Sequence, residues 1–135
     1  MLANTFPQSP VQTVQQINIS LPNRPGSLAH MSDRLRAADV NIDALFCEEG
    51  TETAVHLIVD DVETGKMVLR EISPVTTTDV LAIRIKNKPG AIAQIARKCA
   101  GAGVNIRNIY ATTVSKEAMA YIIVDDVEKA MKVLK

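Results

Sequence analysis

Two short loops of the sequence carry residue types suited to binding a small zwitterion. Asn-Arg-Pro-Gly occupies residues 23–26, and Asn-Lys-Pro-Gly occupies residues 87–90. A glycine lets the backbone come close to a ligand, and a helix that starts after the loop presents unpaired N–H groups that favour a carboxylate. An asparagine amide offers both a donor and an acceptor, so it can pair with an ammonium group without burying an unpaired charge. The loops therefore suit an amino acid, although Pro-Gly before a helix is often only a turn.

The rest of the pattern around these loops is also written twice. Val-Asn-Ile at 40–42 recurs at 104–106, with the same spacing as the two Pro-Gly loops. Ile-Val-Asp-Asp-Val-Glu at 58–63 recurs at 123–128, one residue further apart. Three motifs that repeat in the same order indicate an internal duplication.

The duplicated units begin before the first clear strand. Ser-Pro-Val-x-Thr at 9–13 recurs at 73–77, so the predicted repeats cover residues 9–72 and 73–135. Residues 1–8 precede the first repeat and are expected to fray.

Each repeat is predicted to form a strand, a helix, two strands and a second helix. Apolar and polar residues alternate over 16–21, which predicts a half-buried strand, and from Leu28 to Ala38 apolar residues recur at helical spacing. Asp60 and Asp61 offer N-cap carboxylates for the second helix. With one further strand from the Ser-Pro-Val-x-Thr segment, the layout is βαββαβ, an α+β ferredoxin-like fold with helices on one face of an antiparallel sheet.

The closing strand of the second repeat needs a separate source. The sequence reaches Lys135 directly after the last predicted helix, whereas a spare Ser-Pro-Val-x-Thr segment lies near residue 9. We therefore predict that residues 9–16 close the second sheet, as residues 73–79 close the first.

Composition excludes several classes of protein. Fifteen basic residues balance fifteen acidic ones, which argues against a nucleic-acid binder or a protein of anionic membrane surfaces. No apolar run reaches the ~18 residues of a membrane span, and the N-terminal residues lack the pattern of a signal peptide. The two cysteines are interpreted as reduced, which predicts a cytoplasmic protein.

A strand, then Asn-Arg/Lys-Pro-Gly, a helix, and then Val-Asn-Ile resembles the ACT domain family, the regulatory modules of amino-acid metabolic enzymes. The resemblance covers roughly residues 14–72 and 79–135. It implies two ACT-type repeats with their sheets paired edge to edge, and an amino acid effector bound at the interface between ACT units. Since no catalytic domain is attached, the chain resembles a stand-alone regulator of an amino-acid metabolic enzyme and not an enzyme itself.

The resemblance, together with the chemistry of the loops, assigns a set of ligand-binding residues. They lie in the two loops, at the first helical positions after them, and at the start of the strand that follows the helix. The predicted residues are Asn23, Arg24, Pro25, Gly26, Ser27, Leu28, Asn41, Ile42, Asn87, Lys88, Pro89, Gly90, Ala91, Ile92, Asn105 and Ile106. Leu21 and Ile85 stand where some serine-binding members carry a histidine, which predicts a more apolar pocket wall. No catalytic residue, metal ligand or cofactor is predicted.

Other functions are weaker but remain open. A purely structural dimerisation module with a vestigial pocket is the main alternative. Arg24 and Asn41 resemble the catalytic pair of acylphosphatases, but the loop does not resemble their Gly-x-Val-Gln-Gly-Val. Binding of RNA by the sheet would need more exposed aromatic residues than the strands offer. Ile58 and Ile123 place apolar side chains on the second sheet face, which predicts a homodimer or a higher homo-oligomer.

Overall fold

Ten strands and helices follow one another in the order that the repeat predicts. The computed structural model of the protein describes residues 10–135; Ser9 and the predicted fraying of residues 1–8 lie outside this range. The elements are β1 (Val11–Pro22), α1 (Ser27–Ala37), β2 (Ile42–Glu48), β3 (Glu52–Val59), α2 (Val62–Arg70), β4 (Val75–Lys86), α3 (Ala91–Gly101), β5 (Ile106–Val114), β6 (Glu117–Val124) and α4 (Val127–Leu134).

Two compact units share these elements. The first is Gln15–Thr78, and the second joins residues 10–14 to Asp79–Lys135. In the second unit, the backbone N–H of Arg84 donates to the carbonyl oxygen of Pro10 at 2.8 Å, and Val11 belongs to the apolar core. These contacts involve Pro10 and Val11 alone, and the closing of the second sheet by residues 9–16 stays a prediction. The repeat boundaries themselves, 9–72 and 73–135, stay a prediction.

The strand order within each unit follows from antiparallel pairing. In the first unit β3 lies between β2 and β1, with Ile19 opposite Val55. In the second unit β6 lies between β5 and β4, with Ile83 opposite Ala120. Both β2 and β5 shift register directly after their first residue, so the duplication extends to local irregularities of the sheet.

Each unit buries one apolar core between its sheet and its two helices. Alternate residues of the central strands supply the sheet side, and residues at helical spacing supply the other side. The fully buried members in the first unit include Ile17, Met31, Leu35, Leu57 and Leu69, and those in the second include Leu81, Cys99, Ala120, Ile122 and Ala130. This is the predicted α+β arrangement of βαββαβ units with both helices on one sheet face.

The second helix of each unit begins with the predicted aspartate cap. Asp61 accepts a hydrogen bond from the Thr64 backbone N–H at 3.1 Å, and Asp126 accepts one from the Lys129 N–H at 3.0 Å. Hydrogen bonds from the Thr64 hydroxyl and backbone hold the pKa of Asp61 below its usual value. Both helix starts are therefore electrostatically satisfied by the chain itself.

Three side chains differ from the sequence expectation. Leu28 was assigned to the buried stripe of α1 but is 44% exposed, because it lies in the first turn, ahead of the first buried residue Met31. Gln16 lies on the polar face of its strand but is 1% exposed. The sequence predicts that Ile58 needs cover from another chain, but only 5% of this residue is exposed in the single chain. Within residues 10–135, every helix is too short or too polar to cross a membrane.

Candidate functional site

The two Pro-Gly loops place a left-handed glycine directly before a helix. Gly26 has φ 91° and precedes α1, and Gly90 has φ 89° and precedes α3. Residues that carry a side chain rarely adopt this backbone conformation, so both positions require glycine. Among residues 10–135, and apart from the residues adjacent to each glycine, no atom lies within 4 Å of the position that a Cβ would take at Gly26 or Gly90. Each loop thus leaves open space at the start of its helix.

The helices that follow the loops lack the caps that the other two helices carry. Neither α1 nor α3 has a side-chain cap or an acidic residue in its first turn. By contrast, α2 and α4 each combine an aspartate cap with a glutamate in the first turn. Unsatisfied N–H groups and the positive end of the helix dipole favour an anion, so α1 and α3 can accept a carboxylate that α2 and α4 would repel.

A cavity of about 410 Å³ adjoins the loop of the first unit. Its floor is apolar, with Leu21 at the end of β1 and Ile72 after α2, and Arg24 and His30 supply polar atoms at its sides. The lining residues are Leu21, Pro22, Arg24, Pro25, Gly26, Ser27, His30 and Ile72. Four of the predicted binding residues, those at 24–27, therefore meet at one cavity.

The second unit has a cavity of about 330 Å³ at the corresponding place. It extends from the end of β4 along α3 to Leu134 of α4. The lining residues are Pro10, Val11, Ile83, Arg84, Ile85, Lys86, Lys88, Ala91, Gln94, Ile95, Lys98 and Leu134. Among the predicted binding residues of this unit, only Lys88 and Ala91 line it.

The asparagines that open the loops brace the adjacent hairpins. Asn23 Nδ2 donates to the carbonyl oxygen of Gly50 at 3.3 Å, and Asn87 Nδ2 donates to that of Ser115 at 3.0 Å. Both contacts join the loop to the turn between the second and third strands of its unit. Within residues 10–135, no hydrogen bond occupies Oδ1 of Asn23 or Asn87, so both acceptors are available to an ammonium group.

Asn41 and Asn105 do not flank the loops, contrary to the sequence expectation. The backbone N–H of Asn41 donates to Asp60 Oδ1 at 2.9 Å, and that of Asn105 donates to Asp125 Oδ1 at 2.9 Å. These contacts lie beyond the C-termini of α1 and α3, whereas Gly26 lies before the N-terminus of α1. A helix of 11 residues separates the two places by roughly 16 Å. Ile42 and Ile106, which follow these asparagines, are equally remote from the loops.

Asn41 and its surroundings form a small polar cluster in the first unit. Its side-chain Nδ2 donates to Asp43 Oδ1 at 2.9 Å. Burial raises the pKa of Asp43, the hydrogen bond from Asn41 opposes that shift, and the negative charge of Asp60 adds to it. The second unit has Arg107 where the first has Asp43, so the Asn105 amide has no such partner among the described residues.

A polar network on the other sheet face of the first unit was missed by the sequence analysis. Asn18 Nδ2 donates to the Thr78 hydroxyl at 2.9 Å. Asn18 Oδ1 accepts two hydrogen bonds of 2.8 Å, one from Gln16 Nε2 and one from His56 Nδ1. His56 Nε2 lies 2.9 Å from Glu48 Oε1. The His56 ring thus has an oxygen atom close to each of its two nitrogens. The sequence showed only polar residues alternating along a strand, which does not reveal their burial.

The corresponding face of the second unit carries an aromatic pair instead. The rings of Tyr110 and Tyr121 stack with centroids 5.1 Å apart, at the positions where the first unit stacks Phe46 on His56. Burial, together with Tyr121, raises the pKa of Tyr110. Within residues 10–135, no three side chains of His, Cys, Asp or Glu converge as a metal site would require.

Comparison with known proteins identifies the family of the chain. The family model described as an ACT domain pair matches residues 12–135. The structure is similar to that of a protein from Bacteroides thetaiotaomicron, with TM-score 0.87 and 27% identity over 93% of this chain and 89% of that one. No curated protein matches the sequence.

Two aspartate kinase regulatory subunits share the fold. The subunit from Thermus thermophilus, in its ligand-free form, has TM-score 0.70 and 18% identity over 92% of this chain and 91% of that one. The subunit from Thermus flavus has TM-score 0.66 and 18% identity over 93% of this chain and 95% of that one. At this level of identity the likeness concerns the fold alone.

Proposed function

This chain belongs to the ACT domain family, as a domain pair, and on that premise we propose that it is a non-enzymatic sensor of an amino acid. The amino acid binds at an interface between ACT units and regulates an enzyme of amino-acid metabolism. The regulatory subunits of aspartate kinase that share the fold support this class of partner. Regulation then works through different affinities of the ligand for two arrangements of the regulated complex.

One observation carries this proposal: each unit places an uncapped helix N-terminus beside a cavity. The N–H groups at the start of α1 suit the ligand carboxylate, and Asn23 Oδ1 suits its ammonium group. Leu21 and Ile72 supply an apolar floor for the ligand side chain. The polar groups of the ligand are held by protein groups of complementary charge, and its side chain lies on an apolar surface.

The positions of the asparagines support binding at an interface between ACT units. Within one unit, Asn41 and the Gly26 loop lie at opposite ends of α1. One unit alone therefore cannot bring both to a ligand as small as an amino acid. A ligand that uses both must lie between the loop of one ACT unit and the strand start of another.

Assembly and location belong to the same proposal. Within this proposal the chain forms a homodimer or a higher homo-oligomer. Both cysteines are free, with Cys47 exposed and Cys99 buried, which supports the cytoplasmic location predicted from the sequence.

A thermal-shift screen against the twenty amino acids tests the proposal. A ligand that binds only the folded protein adds ~2.7 kcal/mol of stability at a hundred times its Kd. We expect one amino acid, or a few related ones, to raise the Tm of the wild-type protein. The same ligand should act less on a variant with Asn23→Ala and Asn87→Ala, which removes both free Oδ1 acceptors.

Exposed Thr112 provides a control, since it lies on the edge strand β5 and lines neither cavity. The Thr112→Ala variant should respond to the ligand as the wild type does. If no amino acid raises the Tm at millimolar concentration, the sensor proposal is wrong and the structural dimerisation module becomes the better description.

A further inference from the structure

The cavity of the second unit is lined by charges of one sign. Among residues 10–135, the charged side chains that line it are Arg84, Lys86, Lys88 and Lys98, all of them basic. The cavity of the first unit has Arg24 as its only permanently charged lining residue. The two cavities therefore differ in charge although they occupy matched positions of the repeat.

Three differences between the repeats produce this contrast, and the first is Arg84, whose counterpart Ser20 carries no charge. Lys86 has Pro22 as its counterpart, which carries no charge. Lys98 has Arg34 as its counterpart, and Arg34 forms an ion pair with Glu71. The first unit thus lacks two of these basic residues and pairs the third with an acidic side chain, whereas the second unit carries all three.

The lysines of the second cavity are not neutralised by their neighbours in the described part of the chain. Lys86, Lys88 and Lys98 form no ion pair there. Glu117 lies directly opposite Lys86 in the sheet register, so its carboxylate offsets part of that charge. Lys88 and Lys98 lie in the loop before α3 and in α3 itself, outside the sheet register.

These two lysines lie at opposite ends of the cavity. Lys88 belongs to the loop before α3, and Lys98 lies seven residues after Ala91, roughly 10 Å further along the helix axis. Ile95 and Leu134 are buried side chains that line the space between them. At about 330 Å³ the cavity lies at the small end of ligand-binding sites. It suits a ligand with an apolar middle and an anionic group at each end.

We propose that the second unit binds a small organic acid that carries two anionic groups on a short aliphatic chain. This inference rests on the proposed function, because it assigns the ligand class of one of the sensor's two sites. Lys88 holds one anionic group, Lys98 holds the other, and the aliphatic chain lies on Ile95 and Leu134. A cationic amino acid such as lysine is excluded from this cavity by repulsion from the same side chains.

Isothermal titration calorimetry of the full chain tests the proposal with five probes. Aspartate and glutamate carry two carboxylates and an amino group, succinate carries two carboxylates alone, leucine is neutral overall, and inorganic phosphate is an anion without an apolar part. We expect the dicarboxylates to bind more tightly than leucine. Binding should weaken at least roughly tenfold in the Lys98→Gln variant, since a hydrogen bond to a charged group is lost.

Arg97→Gln is the matched control. Arg97 is exposed on the same helix, one residue from Lys98, but does not line the cavity, so its replacement removes an equal charge elsewhere. Dicarboxylate affinity in this variant should stay close to that of the wild type. An equal loss in Arg97→Gln and Lys98→Gln would mean that only net charge matters, which would overturn the site.

The remaining outcomes separate this inference from the proposed function. If leucine or another neutral amino acid binds and no dicarboxylate does, the inference is wrong and the sensor proposal stands. If succinate binds in a manner sensitive to Lys98 and no amino acid binds, the inference stands and the amino-acid proposal is wrong. If phosphate binds as tightly as succinate, with the same sensitivity to Lys98, an organic dianion is not the ligand. If nothing binds, both are wrong.

Discussion

Replacing Gly65 by alanine tests how closely α2 packs on the sheet of its unit. A Cβ at this buried position would lie 3.2 Å from both Ile17 Cδ1 and Val59 Cγ2. Alanine in a helix interior is favoured over glycine by about 1 kcal/mol, whereas an extra methyl group in a packed core costs about 1–3 kcal/mol. The steric cost should be larger, because Ile17 is 0% and Val59 5% exposed and neither has open space nearby. We expect Gly65→Ala to lower the free energy of unfolding by about 1 kcal/mol.

Shortening Ile17 should relieve part of this strain. Ile17→Val removes the Cδ1 atom and by itself costs about 0.5–1.5 kcal/mol. Combined with Gly65→Ala it should cost less, because the new methyl group occupies the space that Cδ1 vacates. The double-mutant cycle is expected to show a favourable coupling of about 1 kcal/mol, in the range found for residues in contact.

The second unit supplies the reverse substitution. Its matched residue in α4 is Ala130, which is fully buried. Ala130→Gly removes a buried methyl group and adds the conformational cost of glycine, so we expect a loss of about 2 kcal/mol. We therefore expect each unit to be most stable with the residue that it carries, which is Gly65 in the first unit and Ala130 in the second.

Urea unfolding followed by far-ultraviolet circular dichroism measures these changes at constant m-value. Amide hydrogen exchange in α2 assigns the effect of Gly65→Ala to the first unit. A Gly65→Ala protein more stable by the full helix-propensity gain would refute the packing argument. So would a cycle in which the two substitutions add within about 0.3 kcal/mol.

Three further expectations concern titration and binding. The Asp61→Asn variant keeps a capping oxygen but has no group that titrates there. The cap hydrogen bonds lower the pKa of Asp61 in the folded protein. The stability that the Asp61 carboxylate adds is therefore fully present above pH 3.8 and is lost as the pH falls through the folded-state pKa. The Tm advantage of the wild type over this variant should therefore shrink in acid, and a constant difference would contradict the assignment. Burial raises the pKa of Asp43 in the folded protein. Its negative charge therefore begins to lower the stability of the protein as the pH rises above 3.8, and the full loss is reached above the folded-state pKa. Asp43→Asn should raise the Tm at neutral pH and leave it unchanged in strong acid. Asn41→Ala combined with Asn105→Ala should abolish amino-acid binding with an unchanged circular dichroism spectrum; unchanged affinity in calorimetry would remove both asparagines from the site.

The sequence by itself determined the features that depend on local chemistry. Helical and alternating spacing follow from backbone geometry, so the order of strands and helices could be predicted without the structure. Asp61 and Asp126 could be assigned as caps because a carboxylate satisfies N–H groups only three residues away. Gly26 and Gly90 could be placed at special backbone positions for a similarly local reason.

Only the tertiary structure decided which distant groups meet. Gln16 follows the polar alternation of its strand, yet it is buried, because side chains remote in sequence cover it. Asn41 follows the helix that begins after Gly26, and its side chain donates to Asp43, a partner that the spacing along the chain does not reveal. Lys98 gains its place in a basic cavity from the packing of α3 beside β4 and α4. Spacing along the chain determines which face of a helix or strand a residue occupies. The burial of that residue and its contact partners depend on how the helices and strands pack.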